Sequence, residues 1–197
     1  MRNEMVKNMT LSAMFMAIGL LLPLLTMQIP QIGNMMLPMH IPVLLCGLIC
    51  GWKYGLVVGL ILPGFRYLIF GMPPLFAPFP PFHPIMVPMI FELATYGFLA
   101  GFLYQRSRWQ CVIALYRSMI TAMVGGRLVL GIVMALHVPF VTNNFTWTAF
   151  MPAFIGGAFT LAIPGIIVQL TLIPAIMVAL NRSGLVKFRR VREGDVT

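Results

Sequence analysis

His40-Ile-Pro-Val-Leu-Leu-Cys-Gly-Leu-Ile-Cys-Gly-Trp-Lys-Tyr-Gly-Leu-Val-Val-Gly-Leu-Ile-Leu-Pro-Gly-Phe-Arg-Tyr-Leu-Ile-Phe-Gly71 decides how this chain is threaded. It holds two apolar runs, residues 40–52 and 54–71, separated only by Trp52-Lys53-Tyr54. Either it is one helix with a stray lysine or two helices joined by a tight turn. Four further apolar runs occupy residues 9–27, 85–104, 112–137 and 152–180. Parity chooses between the two threadings. Five spans put the chain termini on opposite sides of a membrane; six put them together. The head carries Arg2 and Lys7, and the tail carries Arg182, Lys187, Arg189, Arg190 and Arg192. Positive charge collects on the cytoplasmic side, so both ends belong there and six spans are expected.

The composition requires a bilayer. The chain has 197 residues, 60% hydrophobic and only 9% charged, with a mean hydropathy of +0.95. No soluble core of this size needs so much apolar surface. Lipid offers no partner to an open backbone, so each run is expected to be helical. A β-barrel would show alternating strands, and these runs are continuously apolar. The expected fold is an all-α membrane protein, one domain over residues 1–197, with six transmembrane helices and cytoplasmic N- and C-termini. The first run follows a basic head but has no small-x-small cleavage site near Gln28, and is read as an uncleaved helix.

The remaining charges agree with this threading. Of thirteen Lys and Arg, only Arg66 and Arg127 are placed deep inside the membrane. Lys53, Arg106, Arg108 and Arg117 join the two termini at inner turns, and the outer connections (28–39, 72–84 and 138–149) hold no Lys or Arg. The net charge of +9 therefore sets orientation and meets anionic lipid; nucleic acid is not an expected partner. Trp52, Tyr54, Tyr104 and Trp109 are placed at the inner interface and Trp147 at the outer one. The three cysteines have no His or carboxylate at metal-ligand spacing, so Cys46 and Cys50 are read as small packing residues on one helix face.

Glycine and proline divide the labour. Gly47, Gly51, Gly55 and Gly59 recur every four residues, and are expected to fall two on each arm of a hairpin and let its backbones approach closely. Gly97 and Gly101 repeat the spacing. Ala13 and Ala17 make a similar face on the first helix, where packing within the chain and docking on another membrane protein fit the spacing equally. Seven prolines between Pro73 and Pro88, interleaved with Phe76, Phe79 and Phe82, exclude a helix and read as a stiff outer cap or a plain linker. Pro164 and Pro174 are expected to kink the sixth helix.

Three ionisable residues lie within spans: Arg66, Glu92 and Arg127. Each costs about 2.5–3.5 kcal/mol at the bilayer centre, and helical rise places all three in its middle or outer half. An Arg–Glu pair that merely ties helices together is the simplest explanation. It leaves one guanidinium unmatched, and an uncompensated buried cation is expensive. A monoanionic ligand would balance it, because guanidinium holds a carboxylate through two parallel hydrogen bonds. Gln169 in the sixth helix can add an amide contact, with Thr160 a weaker candidate. Asn34 and His40 flank the outer face of the proposed cavity. His40, His83 and His137 all map to the outer side, where an interfacial histidine is commoner than a ligand contact.

No enzyme signature is present. There is no GxxxxGK[ST] loop, no GxSxG elbow and no HExxH. One intramembrane carboxylate cannot serve a two-aspartate protease or a metal-dependent lipid transferase. No cofactor and no metal site is expected, and neither a paired repeat nor a proton relay suggests an autonomous secondary transporter.

Leu37-Pro-Met-His-Ile-Pro-Val-Leu-Leu-Cys-Gly-Leu-Ile-Cys-Gly-Trp-Lys-Tyr-Gly55 resembles the second-helix region of substrate-binding S components of energy-coupling factor (ECF) vitamin transporters. Ala162-Ile-Pro-Gly-Ile-Ile-Val-Gln-Leu170, Gly125-Gly-Arg127 and the Ala13-xxx-Ala17 face fit the same picture. The resemblance covers nearly the whole chain and is nearest the pantothenate-like branch. It implies a multi-pass protein of the bacterial plasma membrane that captures a vitamin or precursor from outside. It also implies that Ala13 and Ala17 dock on a transmembrane coupling subunit bound to two ATPases, and that residues 28–40 gate the pocket. On this reading Arg66 and Arg127 take the carboxylate of pantothenate, with Glu92, Asn34, His40 and Gln169 for its polar groups. A pyridoxine, hydroxymethylpyrimidine or riboflavin-type substrate is the alternative. A small membrane scaffold or channel subunit, using the glycine faces to oligomerise, is the rival from another class.

Overall fold

Gly51 is the whole of the turn between the two disputed runs. The computed structural model describes residues 2–26, 38–70, 86–107, 109–141, 147–148, 151 and 163–184. In it α2 (His40–Cys50) ends at Gly51, and α3 (Trp52–Phe70) starts at the next residue. Gly51 has φ +103°, a conformation that glycine adopts without a Cβ clash. Its N–H caps α2 by donating to the Gly47 carbonyl at 3.1 Å. The chain then folds back on itself, because a Cβ on Gly55 would come within 2.6 Å of Gly47 Cα. The two runs are therefore a helical hairpin. Gly51 is the turn and not part of an arm, which corrects the expected division of the four glycines.

Four more helices complete the described chain: α1 (Arg2–Thr26), α4 (Met86–Arg106), α5 (Val112–Val141) and α6 (Ile163–Arg182). Among the described residues, four helices contain stretches long and apolar enough to cross a membrane, Glu4–Pro23, Met86–Arg106, Val112–Leu136 and Ile163–Arg182. The chain is a multi-span α-helical membrane protein. Several bounds differ from those expected. α1 begins at Arg2, seven residues ahead of the apolar run, because a helix satisfies its own backbone in water as well as in lipid. α5 runs on to Val141. Of the sixth run, residues 152–162 lie outside the described residues. Pro164 sits in the first turn of α6, where its missing N–H leaves no intrahelical bond unmade, and Pro174 lies inside the helix.

α2 is the centre of the bundle. Val43, Leu44 and Cys46 are fully buried, and His40 to Leu48 are buried throughout. α1, α3, α4 and α6 all pack on α2, and α5 packs on α4. The closest approaches are backbone to backbone. A Cβ on Gly97 of α4 would strike the Gly55 carbonyl, one on Gly47 the Gly97 carbonyl, and one on Gly59 the Leu93 carbonyl. Gly101 lies against Gly47 and Trp52 in the same way. Small residues that let helices touch are the normal means of association where lipid supplies no hydrophobic drive. These glycine faces are spent within the chain, so they are not available for the oligomer that a scaffold would build on them.

The contacts also gather the basic residues at one end. Ser12 in the first half of α1 accepts a hydrogen bond at 3.5 Å from Cys46 Sγ, in the second half of α2. The end of α4 meets the α2–α3 turn at Trp52. There Lys53 lies 5.5 Å from the Trp52 ring centroid, Trp52 stands edge-on to Phe98, Phe98 stacks on Phe102, and Arg106 lies 5.8 Å from the Phe102 ring. Cations over aromatic faces suit an interfacial belt. The end of α6, with Arg182, closes on the start of α5 at Val112 and Tyr116. His40 lies at the opposite end of α2 from this belt.

Candidate functional site

The site begins with Glu92, a carboxylate only 3% exposed on the face of α4 that packs into the bundle. Two residues from other helices reach it. Arg127 Nη1, from α5, lies 3.0 Å from Glu92 Oε1, and His40 Nε2, from the first turn of α2, lies 3.6 Å from the same oxygen. Arg127 is 5% exposed and His40 3%. Three helices thus place one acid, one guanidinium and one imidazole in a common buried spot.

That cluster is not fully satisfied. Arg127 and Glu92 are close enough to neutralise each other, yet Oε1 lacks the alignment of a hydrogen bond. Among the described residues, Arg127 Nε and Nη2 and both ring nitrogens of His40 have no hydrogen-bond partner. The same holds for Nε2 of Gln169, which is 1% exposed on the α6 stripe formed with Ile173 and Met177. Buried polar groups are nearly always paired. A buried group left unpaired costs about 1–3 kcal/mol, and the cluster carries several, Glu92 Oε1 among them.

Tyr96 was not singled out in the sequence. It lies one helical turn beyond Glu92 and is 1% exposed. Its ring meets His40 edge-on, with centroids 4.8 Å apart and planes at 84°. Gly126 makes room for that ring: a Cβ there would lie 2.5 Å from Tyr96 Cδ2. The glycine before Arg127 therefore lets α5 come near enough to α4 for Arg127 to reach Glu92. The offset of four from Glu92 to Tyr96 was the available sequence signal.

The other expected residues divide. His40 is buried inside the cluster and is not an interfacial histidine, which corrects that expectation; as the first residue of α2 it opens a helix packed on all sides. Arg66 is half-buried on α3, and its Nη1 lies 2.8 Å from Sδ of Met39, the residue just before His40. Ala13 and Ala17 are exposed on α1, beside exposed Met9, Met14, Ile18 and Leu21. Asn34, Thr160, His83 and the rest of residues 27–37 and 71–85 lie outside the described residues, as do the side chain of His137 and residues 185–197.

The described residues thus place a buried, incompletely satisfied polar cluster inside a multi-span membrane protein. The profile of one protein family, described as ECF transporter, substrate-specific component, matches residues 7–177. The chain belongs to that family. No curated protein and no solved structure matches it. Substrate-specific components are non-catalytic binding subunits, so the chain is a transport subunit and not an enzyme. Such components work with a transmembrane coupling protein and ATPase subunits.

Proposed function

We propose that this chain, a single domain over residues 1–197, captures pantothenate or a closely similar monoanion from outside a bacterial plasma membrane. It then hands the cargo inward with the help of a coupling subunit and two ATPases. The observation that carries this reading is the donor surplus around Glu92. Once Glu92 has neutralised Arg127, the open groups of the cluster are the N–H groups of Arg127 and the imidazole, and the unpartnered Gln169 amide on α6 is taken to face the same ligand. They call for a ligand rich in acceptors. A carboxylate matches best, since two of its lone pairs can meet Nε and Nη2 side by side. Amide and hydroxyl oxygens of the same ligand suit Gln169 and His40. Arg66, at the Met39 end of α2, supplies positive charge along the approach, and Asn34 with the rest of residues 28–40 forms the gate.

Six spans with cytoplasmic termini complete the proposal. The gathering of Lys7, Lys53, Arg106, Arg117 and Arg182 at one end of the bundle supports it. α2 has 11 residues and rises only about 16 Å. That is half of the ~30 Å hydrocarbon layer. It can serve as a partial crossing because its neighbours wall it off from lipid.

Titration of the purified protein with pantothenate tests the cargo. Arg127→Ala and Arg66→Ala should each weaken binding at least tenfold, and unchanged affinity in both removes the carboxylate assignment. Tight binding of pyridoxine or hydroxymethylpyrimidine in place of pantothenate would select the neutral-heterocycle alternative. The exposed Ala13–Ala17 face is the proposed dock on the coupling subunit. Ala13→Trp and Ala17→Trp should abolish uptake in cells supplying the coupling module while leaving ligand affinity within twofold. Uptake at the wild-type rate would place the dock elsewhere.

A further inference from the structure

A surface groove lies between the first turns of α5 and the last turns of α6, away from the Glu92 cluster. It has a volume of about 470 Å³ and opens at the surface of the bundle. Ala175, Val178, Ala179 and Pro174 make a shallow apolar floor, too short to fill the space from within. Neighbouring positions on the same two helices are apolar and exposed, Ile113 at 72%, Ile120 at 49% and Leu172 at 41%. The single hydroxyl proton of Thr171 is turned back on its own helix, shared between the carbonyls of Ile167 and Val168. Polar character is confined to the end that carries Tyr116 and the exposed Arg182, with exposed Arg117 on the next residue of α5.

We propose that this groove holds one anionic phospholipid of the surrounding leaflet, its acyl chain on the Ala175–Ala179 floor and its phosphate at Arg182. Three points select this occupant. An apolar slot open to a bilayer is filled by hydrocarbon in preference to water. Its cationic end is the basic end of the bundle, which lies at headgroup depth if the helices cross the membrane. Guanidinium binds phosphate through paired hydrogen bonds, and basic pockets between membrane helices are a recurrent seat for anionic headgroups. A protein partner is the less suitable occupant: the exposed apolar stripe that would dock one lies on α1, which packs on α2 and α3 on a different part of the bundle.

Native mass spectrometry of the full chain in mild detergent tests this. Phosphatidylglycerol and phosphatidylcholine with identical acyl chains are added in turn. Discrete phosphatidylglycerol adducts should persist at collision energies that strip phosphatidylcholine. Arg182→Gln should lower the ratio of retained phosphatidylglycerol to phosphatidylcholine at least fivefold. Ala175→Trp, which fills the floor from an exposed position, should remove the persistent adduct; Val178→Phe serves as a second filler if the first variant does not fold. Equal retention of the two lipids, or an adduct unchanged in both filled variants, overturns the proposal. Pantothenate titration of the same variants keeps the two sites distinct, because a groove variant that loses lipid should bind pantothenate as before.

Discussion

Glu92→Gln should destabilise the folded protein by about 3–5 kcal/mol, the usual consequence of leaving one member of a buried ion pair without its partner. Arg127 is 5% exposed and lies 3.0 Å from Glu92 Oε1. With the acid gone, the guanidinium keeps its charge in the middle of a helical bundle, far from bulk water. The pair itself is worth much less than its breakage suggests, since two charges removed from water recover only part of their hydration through mutual attraction. The double replacement Glu92→Met with Arg127→Met should therefore recover most of the lost stability, as flexible apolar side chains fill the vacated volume. Unfolding of the single and double variants in detergent measures both effects. A double variant as unstable as Glu92→Gln would mean that the pair is needed for the fold; recovery means that its charge is kept for another purpose.

Gly97→Ala should be the most damaging small substitution in the chain. Its Cβ would fall on the carbonyl oxygen and carbon of Gly55. Neither side can yield by a rotamer change, because both are backbone in packed helices. The cost should exceed the ~1–3 kcal/mol typical of an overpacked core, and little folded protein should be recovered from membranes. Gly64→Ala is the internal control. Nothing lies within 4 Å of a Cβ there, so removing a helical glycine should stabilise by about 0.5–1 kcal/mol. Yields and melting temperatures of the two variants give the comparison. Equal behaviour would mean that α2, α3 and α4 do not meet through their glycines.

Much of this arrangement was legible in the residues, for reasons that differ from element to element. That the two runs fold as a hairpin followed from the signs of charge at the two termini, since parity is a global constraint that local propensity lacks; the expected turn at Trp52-Lys53-Tyr54 is displaced to Gly51, and those three residues open α3 instead. The role of Gly51 itself was not legible. A glycine every fourth residue looks the same in an arm and in a turn, and only the φ of +103° separates them. Glu92 and Arg127 stood out because an ionisable group in an apolar run is expensive wherever it points. His40 was harder. It begins its run, and from sequence the edge of a span is indistinguishable from the membrane surface. Burial came from the neighbours of α2, whose packing no local pattern encodes. Tyr96 gave almost no signal, because an aromatic ring among aliphatic residues is ordinary until its neighbours are known. Arg66 was grouped with Arg127 by charge and depth, whereas its guanidinium lies on Met39 at the mouth of α2.

The central claim is that the Glu92–Arg127–His40 chamber exists to hold cargo. Mass spectrometry of small molecules released by denaturing the purified protein tests it most directly, with wild type and the Glu92→Met, Arg127→Met double variant compared side by side. The account predicts an acceptor-rich acid, pantothenate first among candidates, released by the wild type at near one per chain and absent from the folded variant. Release of the same molecule in equal amount from both proteins would contradict it.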